Sequence, residues 1–543
     1  MVLTVAQAFD RAAERWPDNP FLCILPETAE IYGIEAGEAT YADFQRRIHQ
    51  LAENYRAAGY GHGHRVGLLL ENRPTFFLHW FALNRLGVSV VPINADLRAA
   101  ELEYLIGHSE IILAVALPHR HADLLAAAQR ADSPLKVMAV DDAPPVAVTA
   151  APLQHEPITD ATECALLYTS GTTGRPKGCI LSNRYYLEAG EWYARVGGLA
   201  TLHEGRERML TPLPLVHMNA MACSTMAMVT TGGCLIMLDR FHPRSWWQSV
   251  RDSRATIVHY LGVMPAILMK LPASELDRQH NVRFGFGAGV DRTLHAAFEE
   301  RFGFPLLEAW AMTETGAGAT IIANREPRHV GSSCFGIESS DVEVRIVADN
   351  GEPAAIGEPG ELLVRHAGSN PRYGFFSGYL KDEAATRAAW EGGWFHTGDI
   401  VRREADGALR FVDRKKNVIR RSGENISAVE VESVLQQHPS VRSVAVTAVP
   451  DEIRGDEVMA CIVPASMPKP EEQEAAAREL VHWALTQLAY YKVPGYVAYV
   501  NELPLTPTNK IQRGEMRNLA SRLMEARQYV DTRSMKKRQE DAS

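Results

Sequence analysis

Leu167-Tyr168-Thr169-Ser170-Gly171-Thr172-Thr173-Gly174-Arg175-Pro176-Lys177-Gly178 follows an apolar run (Ala165, Leu166, Leu167) and gathers hydroxyls, glycines and two cations into one short loop. Glycines let backbone N–H groups approach a polyphosphate closely. Hydroxyls donate to phosphate oxygens, and Lys177 adds a mobile point charge. The loop is not a Walker A element. That motif carries Ser or Thr after its lysine, and here Gly178 follows Lys177.

The sequence on both sides of this loop alternates helix and strand, which predicts a doubly wound α/β region. Upstream, a helix starts at the N-cap candidate Thr40 and runs past Leu51, a strand follows at 65–70, a helix at 76–86 and a strand at 88–93. Residues 142–159, rich in Pro and Ala, read as an exposed connector. Downstream the alternation resumes from Tyr185 to Trp310, with strands at 255–261 and 282–286, the second running into Gly287-Ala288-Gly289. From Val330 to Arg410 short strands such as 342–347 and 360–364, punctuated by Gly and Pro, predict a small β-barrel. A smaller α+β unit begins near Arg414, with strands at 441–449, 459–463 and 496–500 and a helix at 471–488. From Met516 onward a charged helical tail is expected to fray into solvent at Lys536-Lys537-Arg538.

A chain of 543 residues is too long for one compact core. Its net charge of −10 argues against nucleic acid as the main partner, without excluding a local cationic pocket. No stretch approaches the ~20 apolar residues of a membrane span. The first 18 residues read as an amphipathic helix rather than a signal peptide. Seven cysteines stand singly, without CxxC spacing, so reduced packing thiols in a cytoplasmic protein are expected and a zinc site is not.

Four further segments carry chemistry suited to a nucleotide. Trp310-Ala311-Met312-Thr313-Glu314 combines an aromatic face, a hydroxyl and a carboxylate. Trp394-Phe395-His396-Thr397-Gly398-Asp399 ends in an acid suited to two ribose hydroxyls. Arg414-Lys415-Lys416 sits at the domain junction, and residues 504–510 form a proline-punctuated loop ending in Lys510. Alone, each also reads as core packing, a turn or a surface cation. In this order, with the 169–178 loop, they resemble the core motifs of the adenylate-forming superfamily, in its branch of AMP-dependent acyl-CoA synthetases.

The resemblance implies a large N-terminal AMP-binding domain (1–415) of two α/β subdomains plus a small β-barrel. It also implies a smaller mobile α+β C-terminal cap (416–520) that rotates about Lys416, with 521–543 as the charged tail. A carboxylate attacks the α-phosphate of ATP, giving acyl-adenylate and pyrophosphate, and the thiol of coenzyme A then displaces AMP. Thr169, Ser170, Gly171, Thr172, Thr173 and Lys177 are expected to hold the β- and γ-phosphates. Trp310, where the family more often has Tyr, is expected to stack on adenine beside Gly289. Thr313 is expected to donate to the α-phosphate, Glu314 to ligate Mg²⁺, and Asp399 and Arg414 to bind the ribose hydroxyls. Lys510 is expected to bridge the carboxylate and the α-phosphate. Preorganised cations and donors at that phosphate are where catalysis is needed, because charge builds there.

The loop Gly423, Glu424, Asn425 is implied to be presented to the thiol tunnel. Arg420, Arg421 and Arg442 are candidate partners for the coenzyme A phosphates. His217 matches a family position beside the carboxylate and thiol path. The acyl pocket is expected from Asn219, Val263, Met264, Gly287, Ala288 and 316–320, small or apolar apart from Asn219. Three departures stand out: Ala311 and Asn509 where glycine is common, and Ser427-Ala428 in place of Tyr-Pro. The pattern is closest to medium-chain, aryl and carnitine-type ligases, and the assembly expected includes a homodimer. A stand-alone adenylation enzyme loading a carrier protein is the alternative. The absence of a carrier or condensation module in the sequence favours free coenzyme A.

Overall fold

In the computed structural model of the protein the described residues are 4–169, 176–348, 350–414, 418–504 and 511–537, without the side chains of Asp413, Arg414 and Val418. The strands that flank the decisive stretch are both present, while residues 170–175 of it lie outside the described residues. Strand Glu163–Thr169 runs into the loop, and strand Lys177–Ser182 returns antiparallel to it. This hairpin lies in a seven-stranded sheet, ordered Gly378–Tyr379, Lys177–Ser182, Glu163–Thr169, Ser89–Pro92, Arg65–Leu69, Leu113–Ala116, Lys136–Ala139. The last five strands are parallel.

An eight-stranded sheet lies beside it. Its parallel centre is Leu306–Trp310, Phe284–Ala288, Ile257–Leu261, Arg208–Thr211, Cys234–Met237 and Pro20–Ile24. One continuous apolar core joins the two sheets, running from Phe9, Phe21 and Phe44 through Trp80 and Phe81 to Tyr185, Tyr186 and Phe286. Helix Pro74–Asn84 starts two residues before the expected Phe76, because proline at its first position has the helical φ and needs no donor. Residues 76–84 are all buried, so this helix has no polar face.

Residues 334–414 form a five-stranded antiparallel sheet in the order Cys334–Gly336, Leu409–Arg414, Phe395–Arg403, Pro359–His366, Val342–Val347. Among the described residues its two end strands do not pair with each other, so the expected barrel closure is not seen. The C-terminal unit is built on a separate mixed sheet around strand Gly455–Pro464. It is covered by helices Ala428–Leu435, Gln473–Gln487 and Arg513–Glu525.

The tail departs from expectation. Helix Arg513–Glu525 crosses residue 521, where a separate tail was expected, and buries Met516, Ala520 and Leu523. Val530–Asp531 then pairs with the edge strand Tyr496–Tyr499, and Lys536 is buried against Glu457. An apolar residue every three to four positions was masked in the sequence by the surrounding charge.

Candidate active site

A cleft of about 1760 Å³ is lined from both units, at the mouth of the 163–182 hairpin. Thr169, Lys177, His217, Thr313 and Glu314 reach it from the N-terminal unit, and Gly423, Glu424 and Asn425 from the C-terminal one. Tyr104 anchors the loop's exit, its hydroxyl donating to the Pro176 carbonyl (2.8 Å). Tyr185 holds the Thr313 turn the same way, donating to the Thr313 carbonyl (2.9 Å).

Tyr379, which the sequence reading passed over, links two of the expected residues. Its hydroxyl donates to Glu314 Oε1 (2.9 Å), and Lys177 Nζ sits 4.6 Å over its ring. Burial, and then the Glu314 charge, push the phenol far up, so it remains a neutral donor. Lys177 Nζ also lies 3.7 Å from Asp382 Oδ2. Tyr379 lies on the two-residue strand Gly378–Tyr379 beside the hairpin, a pairing that only the fold reveals.

Asp399 is buried in strand Phe395–Arg403, and the register sets it opposite Arg414. Trp310, 6% exposed, donates its indole N–H to Asp399 Oδ2 (2.9 Å), and its ring lies against Phe335. The two residues expected at the nucleoside are therefore brought together, with the indole turned toward the acid. Neither lines the cleft described above.

The thiol loop is a two-residue hairpin turn, Ser422-Gly423, with φ of 53° and 90°. Both residues need positive φ, as in a type I′ turn. A Cβ on Gly423 would lie 2.3 Å from Leu261 Cδ1 of the N-terminal unit, so a larger residue would strain the turn and displace that side chain. Next to it, Glu424 Oε1 lies 3.3 Å from His217 Nε2. Burial opposes the charged imidazolium, but the Glu424 carboxylate more than offsets it and raises the His217 pKa above 6.5.

The expected acyl-pocket residues sit at the C-terminal ends of strands Ile257–Leu261 and Phe284–Ala288. Val263 is half-buried, Ala288 and Gly289 are exposed, and Met264 and Gly287 are buried. Glu308 shapes this rim by accepting the N–H groups of Gly289 and Val290 (2.9 Å each). Asn219 begins a π-helical turn, Asn219–Ser224. Its Oδ1 lies 2.8 Å from Nδ1 of the buried His259, which the sequence reading did not flag. His259 also meets Ser224 Oγ (2.8 Å) and the Tyr193 hydroxyl (3.1 Å).

Arg421 is not free for a coenzyme A phosphate here. It is 3% exposed and donates to Glu457 Oε2 (2.8 Å). Arg420 and Arg442 are exposed. Ser170, Gly171, Thr172, Thr173, Lys416 and Lys510, and the side chain of Arg414, lie outside the described residues.

Comparison with known proteins agrees with this layout. Residues 9–380 match the AMP-binding enzyme family, and 430–510 match the AMP-binding enzyme C-terminal domain. The chain is 30% identical over 510 residues to a crotonobetaine/carnitine–CoA ligase of Salmonella paratyphi A, covering 89% of this chain and 96% of that protein. Its fold matches a double mutant of o-succinylbenzoate CoA synthetase from Bacillus subtilis bound with its product analogue. There the TM-score is 0.79 and the identity 23%, covering 94% and 98% of the two chains. It also matches a malonyl-CoA ligase with methylmalonyl-CoA and AMP bound, with TM-score 0.73 and 28% identity, covering 90% and 97%.

Proposed function

The chain belongs to the AMP-binding enzyme family, in its acyl-CoA synthetase branch, and from that premise we infer how its residues divide a two-step reaction. It is an ATP-dependent acid–thiol ligase that forms acyl-adenylate with release of pyrophosphate, then acyl-CoA with release of AMP. The observation that carries the assignment of roles is the meeting of Lys177, Thr313 and Glu314 with Gly423, Glu424 and Asn425 in one cleft.

In the first step a carboxylate oxygen bonds to the α-phosphorus and pyrophosphate leaves. Lys177 and the 169–173 hydroxyls hold the outer phosphates, Thr313 donates to the α-phosphate, and Asp399 with Arg414 takes the ribose hydroxyls. Lys510 bridges the carboxylate and the α-phosphate. In the second step the thiol sulfur bonds to the acyl carbon, AMP leaves, and the thiol proton is released. Gly423 lets the thiol loop pack directly on Leu261 at the cleft, where a Cβ would collide.

Glu314 fits Mg²⁺: it is a buried hard-oxygen donor with one oxygen held by Tyr379. No group of three metal-binding side chains occurs among the described residues. The ion would neutralise the polyphosphate there. The acid lies along 214–220 against Val263 and Ala288, where nothing demands a second charge on the substrate. The compartment is the cytoplasm, a reading supported by seven buried, unpaired thiols. No helix among the described residues is long and apolar enough to cross a membrane.

The test is pyrophosphate release over a panel of fatty, aryl, dicarboxylic and betaine acids, with and without coenzyme A. Turnover that requires coenzyme A and ranks the acids is expected. Release indifferent to coenzyme A would replace this reading with carrier-protein loading.

A further inference from the structure

We propose that Lys492, clamped between Glu101 of the N-terminal unit and Glu430 of the C-terminal unit, is a positioning residue for the acyl-transfer step. It acts by holding the two units in the arrangement that places Gly423-Glu424 in the cleft. The proposal rests on the two-step reading above and on a C-terminal unit that moves between the steps.

The clamp is built from three buried charges: Glu101 is 8% exposed, Glu430 8% and Lys492 6%. Lys492 Nζ donates to Glu101 Oε1 (2.7 Å) and to Glu430 Oε1 (2.8 Å). Glu101 Oε2 accepts the N–H of Ala489 (2.8 Å) from the same C-terminal segment, and the N–H of Arg98 (2.9 Å) at the start of its own helix, Ala99–Ser109. Asn94 Nδ2, 3.4 Å from the Tyr491 hydroxyl, makes a second crossing beside it. Burial works against the ammonium, but the two carboxylates more than offset it, so Lys492 stays charged.

Placement links the clamp to the thiol loop. Glu430 lies in the first turn of helix Ala428–Leu435, five residues beyond Asn425, and Ser427 Oγ caps that turn by accepting the Glu430 N–H (3.3 Å). Fixing Glu430 against the N-terminal unit therefore fixes the hairpin that carries Gly423 and Glu424. The clamp also divides cleanly. Lys492 and Glu430 belong to one unit and stay paired when it turns, so Glu101 is the charge left behind. Among the described residues Glu430 Oε2 is buried without a hydrogen-bond partner. A cluster that is incompletely satisfied favours its closed form less than a complete one, as suits a contact that must open each turnover.

All three residues also line the cleft, so the two half-reactions and a conformational readout are needed together to separate positioning from substrate contact. We expect Glu101→Gln to slow single-turnover acyl transfer from preformed acyl-adenylate to coenzyme A at least tenfold. Acid-dependent ATP–pyrophosphate exchange should stay within twofold of the parent, and Lys492→Arg should retain most of the transfer rate. Equal losses in both half-reactions would assign the clamp a purely structural role, and unchanged transfer would also overturn the proposal. A readout independent of chemistry uses fluorescent dyes on Leu125→Cys and Met467→Cys, exposed positions on the two units, in a chain whose seven native cysteines are buried. Glu101→Gln should shift the energy-transfer distribution without any substrate. That shift would support the clamp even if no acid in the panel were activated, and its absence would refute the clamp even in an active ligase.

Discussion

His217 Nε2 and Glu424 Oε1 lie 3.3 Å apart across the boundary between the two units, so this contact exists only while the C-terminal unit is docked. With Nε2 donating to Glu424, the other ring nitrogen of His217 is left to accept a proton. The thiol must lose one proton for each acyl group transferred, and an imidazole backed by a carboxylate is suited to take it.

Acyl transfer should therefore rise with pH through the raised pKa of His217. Removing the Glu424 charge with Glu424→Gln leaves only burial acting on the imidazole, so the midpoint should move down. The maximal transfer rate should fall about tenfold or more, in the range of general-base contributions. Single-turnover transfer from pH 6 to pH 9 measures both. An unmoved midpoint would mean that His217 does not take the proton.

Trp310 and Asp399 make the second prediction. The indole N–H is a neutral donor to a buried carboxylate, and such bonds contribute about 1.5–3 kcal/mol. Trp310→Phe keeps an aromatic ring at the position but removes the indole donor to Asp399. The KM for ATP should rise about tenfold, with a smaller change in kcat, because the ribose contact is made in ground and transition states alike. If the KM for ATP stays at the parent value, the indole is packing alone.

The local features of this fold were legible in the sequence, and the long-range ones were not. The strand before Ser170, the helix capped by Thr40 and the Thr397-Gly398-Asp399 motif are written in neighbouring residues. Helix Pro74–Asn84 was legible only in part, because a helix buried on every side has no stripe to mark its ends. The docked tail was misread because Met516, Ala520 and Leu523 are spread among charges. Contacts such as Tyr379 to Glu314, Trp310 to Asp399 and Lys492 to Glu101 join segments tens to hundreds of residues apart, and no local pattern specifies them. The cleft gathers several of the expected residues, while the pairings that orient them required the fold.

Gly262 sets the third prediction. A Cβ there would lie 1.7 Å from the carbonyl oxygen of Gly289, backbone against backbone, with no flexible side chain to yield. Gly262→Ala must therefore push the 287–290 loop away from strand Ile257–Leu261, at a cost of about 1–3 kcal/mol. Glu308 holds the same loop through Gly289 and Val290, so the displacement should also disturb the acyl rim. The unfolding midpoint should drop and the KM for the acid should rise. A variant with parental values of both would show that the two strands separate freely.

The last prediction concerns acid. His259 and His79 are both fully enclosed. Burial lowers His259 from 6.5 to about 3, and His79 from 6.5 to about 4, the latter against the Val140 carbonyl, which raises it. Each is neutral in the folded protein, held by partners that suit the neutral ring: Asn219, Ser224 and Tyr193 for His259, and the Tyr55 hydroxyl (2.7 Å) for His79. In the unfolded chain both bind a proton below pH 6.5. Between that value and their folded pKa values the unfolded state therefore carries more protons, and stability falls as pH falls. The contribution is fully present above pH 6.5 and is lost progressively toward pH 4, with a slope approaching about 1.4 kcal/mol per pH unit for each histidine. Replacing His259 with Gln, which can still hydrogen-bond but cannot titrate, should flatten the dependence. Urea denaturation followed at pH 7, 6 and 5 should show the parent losing stability more steeply than the variant as pH falls, because the parent alone carries the acid penalty of His259. Parallel losses over that range would place the acid sensitivity elsewhere.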